Sequence, residues 1–199
     1  MSKPVISDRA TDPSAPSADG LTAIDALFES GNVAAWVNTR GQRPARADVA
    51  GKIVVVEAFQ MLCPGCVLHG LPQAARLAQQ FPAAELAVLG LHTVFEHHDV
   101  QGTEAALAAF LGEYRYTFPV AIDARDAGER LPRLMRRWQL EGTPSLLVFD
   151  QVGRLVDRSF GHVDDLRLGV VLGGLLAAPA ENTTASTAAA RCDDAGCRV

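Results

Sequence analysis

Cys63 and Cys66 stand three positions apart with a proline and a glycine between them, and a second pair, Cys192 and Cys197, lies near the end of the 199-residue chain. A Cys-x-x-Cys element that opens a helix directly after a buried strand has a specific physical use. Cys63 would lie at the helix cap, with Pro64 at the first helical position, where its missing N–H costs little. Unpaired backbone N–H groups and the positive end of the helix dipole stabilise a thiolate at Cys63. Cys66, one turn further in, is placed to attack a mixed disulfide and release the reduced product. Cys63 is therefore read as the attacking thiol and Cys66 as the resolving one. The competing reading is half of a zinc site, or two buried cysteines. Zinc needs a second ligand pair, which Cys192 and Cys197 could supply. The strand-to-helix context favours redox chemistry, with no metal or cofactor expected.

Two further features belong with this motif. Glu57 lies inside the run Val54-Val55-Val56-Glu57-Ala58-Phe59, six residues before Cys63, where a carboxylate is rare. Desolvation there raises a carboxyl pKa and suits a proton acceptor for Cys66; otherwise Glu57 is a strand-end residue pointing to water. Pro144, within Gly142-Thr143-Pro144-Ser145, directly precedes the apolar run 145–149. It must sit at a strand's first residue or in a turn. A cis Thr143–Pro144 bond would expose the Thr143 backbone for pairing with an extended substrate.

The elements that must position these residues follow from patterning. Residues 52–59 form a continuous β-branched run, as expected of a strand covered on both faces. Residues 67–81 read as a helix whose first turns are weakened or kinked by Gly70 and Pro72. A second buried strand is expected over 85–92, a helix over 103–114 with Thr103 as its cap, and a short strand over 118–122. A short basic helix is expected over 128–138. Strands over 145–149 and 155–159 flank the turn Asp150-Gln151-Val152-Gly153 as a hairpin, and a last helix covers 164–177. This order predicts an α/β domain over 21–178, a mixed central sheet with helices on both faces. Residues 1–20, rich in Ser, Pro, Ala and Asp, read as a disordered lead, and 179–199 as a flexible tail.

Composition excludes other classes. Eighteen basic against 23 acidic residues give a net charge of −5, which argues against nucleic acid as a partner. Hydrophobic residues make up 48% of the chain, enough for a core, yet no run approaches the length of a spanning helix, so no membrane insertion is expected. The N-terminus carries no apolar run after Lys3, so a cytoplasmic location is expected. Paired cysteines in a reducing compartment point to redox or metal chemistry rather than a structural staple.

The Val-rich strand with Glu57, Cys63-Pro64-Gly65-Cys66, and Gly142-Thr143-Pro144 about eighty residues later together resemble the thioredoxin superfamily. More narrowly, the chain is similar to its TlpA-like and peroxiredoxin-like redoxin branch. The segment 92–116, ending in Phe118-Pro119-Val120, has the length of that branch's helix-containing insertion, and Trp36-Val37-Asn38-Thr39 ahead of Gly51-Lys52 also looks like it. The resemblance spans residues 36–177. It implies a thioredoxin-like fold, attack by Cys63, resolution by Cys66, a proton relay at Glu57 and a cis peptide at Pro144. Two positions depart from the pattern: Leu62 replaces the usual aromatic, and His69 stands where a glutamate is common. A charged His69 near a thiol would favour its ionised form. A peroxiredoxin would place threonine and proline where this chain has Gln60 and Val56, which argues against that peroxidase mechanism.

Other groups have weaker readings. His92, His97 and His98, with Glu96 and Asp99, read as a polar loop, or as a metal or cleft-lining cluster. Arg130, Arg133, Arg136 and Arg137 read as a solvated positive stripe, Trp36 and Trp138 as packing residues, and His162 as a surface residue. The tail lies within reach of Cys63, since 14 flexible residues from Ala178 to Cys192 span roughly 20 Å. Cys192 and Cys197 could thus form a second dithiol that exchanges with the first, a soft-metal site, or incidental thiols. Two function classes result. One is a thiol–disulfide oxidoreductase that reduces protein or small-molecule disulfides with electrons from an upstream reductase. The other is a thioredoxin-fold metal-binding or adaptor module built on the cysteines.

Overall fold

The computed structural model describes residues 23–39 and 41–178, so the expected lead (1–20) and tail (179–199), with Cys192 and Cys197, lie outside the described residues. Six strands form one mixed sheet: β1 (Val33–Val37), β2 (Ile53–Phe59), β3 (Leu86–His92), β4 (Val120–Asp123), β5 (Ser145–Phe149) and β6 (Leu155–Phe160). Their order is β1-β4-β3-β2-β5-β6. β2, β3 and β4 run parallel, while β1, β5 and β6 each run antiparallel to the neighbour they pair with. The helices are α1 (Leu71–Gln80), α2 (His98–Gln101), α3 (Glu104–Glu113), α4 (Arg133–Arg137) and α5 (Asp165–Ala177).

Every residue of β2 is buried because it is a central strand with a layer on each face. Ile53, Val55 and Phe59 pack with Leu71 and Ala74 of α1, Leu107 and Leu111 of α3, and Leu168 and Leu172 of α5. Val54, Val56 and Ala58 face the opposite core with Ile24, Leu27, Leu134, Met135 and Trp138. The period-2 alternation of a strand therefore turns Glu57 toward the layer that holds α1. The helix ends are fixed as their sequences suggest. The Thr103 hydroxyl accepts the Ala106 N–H at 3.2 Å, and the Asp164 carboxylate accepts Leu166 and Arg167 N–H groups. Each such cap stabilises by about 1 kcal/mol.

Two expectations are corrected. A strand absent from the sequence reading, β1, pairs at the sheet edge with β4. The basic helix begins at Arg133, not 128, because Pro132 caps it in an extended conformation. Its arginines lie on a solvated face as expected, but their positive charge is paired there: Arg133 and Arg136 bind Asp126, Arg136 also binds Glu129, and Arg137 binds Glu29. Trp138 packs in the core, and its indole donates to the Ala23 carbonyl. Among the described residues no helix is long and apolar enough to cross a membrane.

Candidate active site

β2 ends at Phe59, and a tight turn carries the chain into the cysteine motif, with Cys63 N–H donating to the Gln60 carbonyl at 3.2 Å. The helical segment starts at Pro64, and Val67 N–H donates to the Cys63 carbonyl at 3.1 Å. The Cys63 sulfur acts as the cap side chain and accepts the Cys66 N–H at 3.2 Å. Its thiol also donates to the Thr143 carbonyl at 3.4 Å. Both cysteines are free thiols; Cys63 is half-buried, whereas Cys66 is fully buried. Burial, and then hydrogen bonding to Cys63, push the Cys66 thiol far up, against smaller opposing effects from the Gln60 backbone and Thr143. The pair is thus asymmetric: one sulfur meets solvent at a helix N-terminus, and the other is held neutral beneath it.

The expected kink takes a definite form. Cys66–Gly70 is a turn of π-helix, in which Leu71 N–H donates to the Cys66 carbonyl, and it runs directly into α1. At its end, Gly70 lies on the Glu57 carboxyl. A β-carbon added there would overlap Oε1 and lie 2.8 Å from Cδ and 3.1 Å from Pro144 Cβ. Glu57 is 1% exposed, and its Oε1 has no hydrogen-bond partner. Desolvation, reinforced by the charge of Cys63, holds this carboxyl well above its ordinary value of 4.5. Glu57 is therefore buried under the redox turn and does not point to water.

The Thr143–Pro144 bond is cis. Pro144 packs on Gly65 of the motif, and its carbonyl accepts Gly161 N–H at 2.9 Å. Gly142 is required by a close approach: a β-carbon there would lie 2.9 Å from the Phe160 ring. Phe160 is 57% exposed and Leu62 is 53% exposed, so apolar side chains flank both the cysteine motif and the Thr143 loop. Sequence reasoning assigned neither a part in the site.

Sequence reasoning also missed a pair of buried amides. Gln60 and Gln101 are each 1% exposed and joined by a Gln101 Nε2–Gln60 Oε1 bond of 3.1 Å. The interior position of Gln60 directly after Phe59 was the available signal. Asp123 was overlooked as well. It accepts Leu134 and Met135 N–H groups and the Thr93 hydroxyl, capping α4 from within the core, and burial pushes it up to about 6.

The histidines do not form one cluster. His92 is the last residue of β3, buried against Phe59 at 5.3 Å, with neither ring nitrogen hydrogen-bonded. Burial pushes its pKa down to about 4. His97 is exposed in a left-handed conformation, φ 53°, ahead of α2. Among the described residues no group of three or more His, Cys, Asp or Glu side chains is arranged to hold a metal ion. His69 is exposed, and its ring lies against His162, centroids 4.8 Å apart.

The chain is 46% identical to a thiol-disulfide isomerase from Corynebacterium glutamicum, with a TM-score of 0.72 over 76% of this chain and 97% of that one. It is 47% identical to a second solved structure, a thioredoxin-like superfamily protein, at TM-score 0.71 over 75% and 95% of the two chains. A secreted disulfide oxidoreductase of Mycobacterium tuberculosis shares the fold at 18% identity, TM-score 0.53, covering 76% of this chain and 98% of its own. No protein-family model matches. A curated relative, NHL repeat-containing protein 2 of Gallus gallus, is 33% identical over 91 residues, 45% of this chain. The chain spans 12% of that relative's length. The chain belongs to the thioredoxin superfamily. Its architecture is that of the thiol–disulfide oxidoreductases, with the six-stranded mixed sheet described above.

Proposed function

We propose that the protein reduces disulfides in proteins or small molecules through the Cys63/Cys66 dithiol. The Cys63 thiolate attacks one sulfur of the substrate disulfide, and the other sulfur leaves as a thiolate. With the charge on Cys63 gone, Glu57 yields its proton to the departing substrate thiolate, and its carboxylate then takes the proton of Cys66, which attacks Cys63 Sγ, so the second substrate sulfur leaves and the Cys63–Cys66 disulfide forms. Two electrons pass from the dithiol to the substrate, and an upstream reductase restores the dithiol. An extended substrate strand pairs with the Thr143 backbone, and Leu62 and Phe160 supply apolar contact.

One observation carries this reading: the sulfur of a partly buried Cys63 capped by the Cys66 N–H at 3.2 Å, over a fully buried second thiol. That arrangement stabilises charge on the first sulfur and withholds it from the second until the mixed disulfide forms. Insulin-type disulfide reduction tests it. Cys63→Ser should abolish turnover, while Cys66→Ser should attack once and accumulate the mixed disulfide. A Cys63→Ser protein that still reduces disulfides, or a wild-type protein that purifies with a thiol-bound metal and shows no turnover, would overturn the proposal.

A further inference from the structure

Cys63 stands at the end of a turn whose placement depends on a side chain from a distant segment. Gln101 is the last residue of α2, a four-residue helix beyond β3, yet it is 1% exposed. Its amide is fully used. Oε1 accepts the Leu62 N–H at 3.2 Å, and Nε2 donates to Gln60 Oε1 at 3.1 Å and to the Glu96 carbonyl at 2.9 Å. Gln60 is held in turn, its Oε1 also accepting Phe95 N–H at 3.2 Å. Gln101 thus grips both ends of the span between β2 and Cys63. It takes the side chain of the first residue after the strand and the backbone of the residue immediately before the attacking sulfur. The Gln60 carbonyl accepts Cys63 N–H, and the Gln60 backbone N–H is aimed at the Cys66 sulfur.

We infer that Gln101 is a positioning residue for the redox turn, so that the segment between β3 and α3 sets the reactivity of Cys63 through the paired amides of Gln60 and Gln101. This inference rests on the proposed redox role of Cys63. Buried amides whose oxygen and nitrogen atoms each hold a partner, as here with Gln60 Nε2 also donating to Glu96 Oε1 at 3.4 Å, favour one arrangement, because displacement strands a polar group in the interior. The network therefore fixes where Leu62 N–H lies. With Leu62 fixed, the Cys63 sulfur stays in register with the Cys66 N–H and the Thr143 carbonyl. Removing the clamp leaves the sheet and helices intact but frees the turn.

Gln101→Met keeps the side chain's length and removes all three hydrogen bonds. The rate of Cys63 alkylation by iodoacetamide, followed from pH 4 to 9 in the full chain, should fall about tenfold at neutral pH, as misplacement of a reacting atom implies. The midpoint of its pH profile should move upward while the circular dichroism spectrum is unchanged. Gln101→Glu should recover part of the rate below the carboxyl's own pKa, where a protonated acid again donates and accepts, and lose it above. A folded Gln101→Met protein with rate and midpoint within twofold of wild type overturns the inference. Hydrogen exchange of the Leu62 amide in the wild-type protein decides the matter if Gln101→Met does not fold. Protection supports the clamp, and exchange at the rate of an open amide overturns it. Alkylation needs no disulfide substrate, so absent disulfide turnover in the wild type would sink the proposed function without moving this comparison.

Discussion

Gly70→Ala puts the buried carboxyl of Glu57 to a direct test. Gly70 has ordinary right-handed helical angles, φ −60° and ψ −56°, so alanine meets no backbone strain there. In an open helix the change would stabilise by about 1 kcal/mol. Here the new β-carbon would overlap Glu57 Oε1, lie 2.8 Å from its Cδ and sit 3.1 Å from Pro144 Cβ. The carboxyl cannot swing clear into water, because Glu57 is 1% exposed. An outright overlap falls in the upper part of the overpacking range, about 2 to 3 kcal/mol, enough to outweigh the helical gain and leave a net loss of about 1 to 2 kcal/mol. Truncating the carboxylate removes the worst contacts and leaves only the tight approach to Pro144. In a Glu57→Ala background, Gly70→Ala should therefore be neutral or stabilising by up to about 1 kcal/mol, a coupling of roughly 2 kcal/mol between the two positions. Urea unfolding of the four proteins at pH 7, with slopes shared across the set, reads the coupling. Equal losses from Gly70→Ala in both backgrounds, agreeing within about 0.5 kcal/mol, would show that Glu57 does not lie under the redox turn.

Other outcomes follow from the same contacts. The folded chain keeps Glu57 protonated where the unfolded chain has released that proton, so its contribution is lost as pH rises above 4.5. Glu57→Gln should gain stability relative to wild type from pH 5 to 8, and stopped-flow mixing should show slower release of the mixed disulfide by at least about tenfold. His92 carries the opposite sign. Its contribution is intact above 6.5 and lost as pH falls toward 4, a span worth about 3 kcal/mol, so His92→Leu should flatten acid unfolding in that window. Asp123→Ala orphans three buried donors and should destabilise by about 2 to 4 kcal/mol in denaturant titration. If the tail acts as a relay, replacing Cys192 and Cys197 with Ser should slow disulfide turnover with the core dithiol intact, and unchanged rates would remove that role.

What the sequence made legible is what depends on neighbours in the chain. β2 and β3 were readable because a buried central strand needs unbroken apolar residues, and the redox turn because Cys63, Pro64 and Cys66 each suit one position at a helix start. Even the direction of Glu57 follows from its alternation with Ile53, Val55 and Phe59. β1 escaped because Val-Ala-Ala-Trp-Val has neither alternation nor a β-branched run, and its pairing depends on a strand far along the chain. The start of α4 was misread because its arginines suggested helix while Pro132 delayed it. His92 looked like the first residue of a polar loop, but the sheet register places it opposite Phe59 in the core. The Gln60–Gln101 bond spans 41 residues, and although Gln60 directly follows a buried strand, nothing in the sequence sets Gln101 apart from a surface glutamine.

The charges of the three ionisable groups at the site depend on one another in a way that orders the proposed reaction. Burial, and after it the charge of Cys63, raises Glu57, so while the dithiol waits for substrate the carboxyl stays protonated and Cys66 has no base. Premature ionisation of the buried thiol is suppressed by its own burial. Attack on a disulfide turns the Cys63 thiolate into a neutral disulfide sulfur, and its share of the rise in Glu57 is gone while the share from burial stays. The carboxyl then ionises more readily, so a carboxylate is present at the moment Cys66 must lose its proton, and the transfer moves a negative charge between buried groups instead of adding a second one. Resolution is thereby gated by formation of the mixed disulfide. The consequence is measurable in the Glu57 carboxyl itself: its infrared or NMR titration should shift to lower pH when Cys63 is blocked by a neutral alkyl group, and a titration unmoved by that modification would uncouple the base from the attacking sulfur.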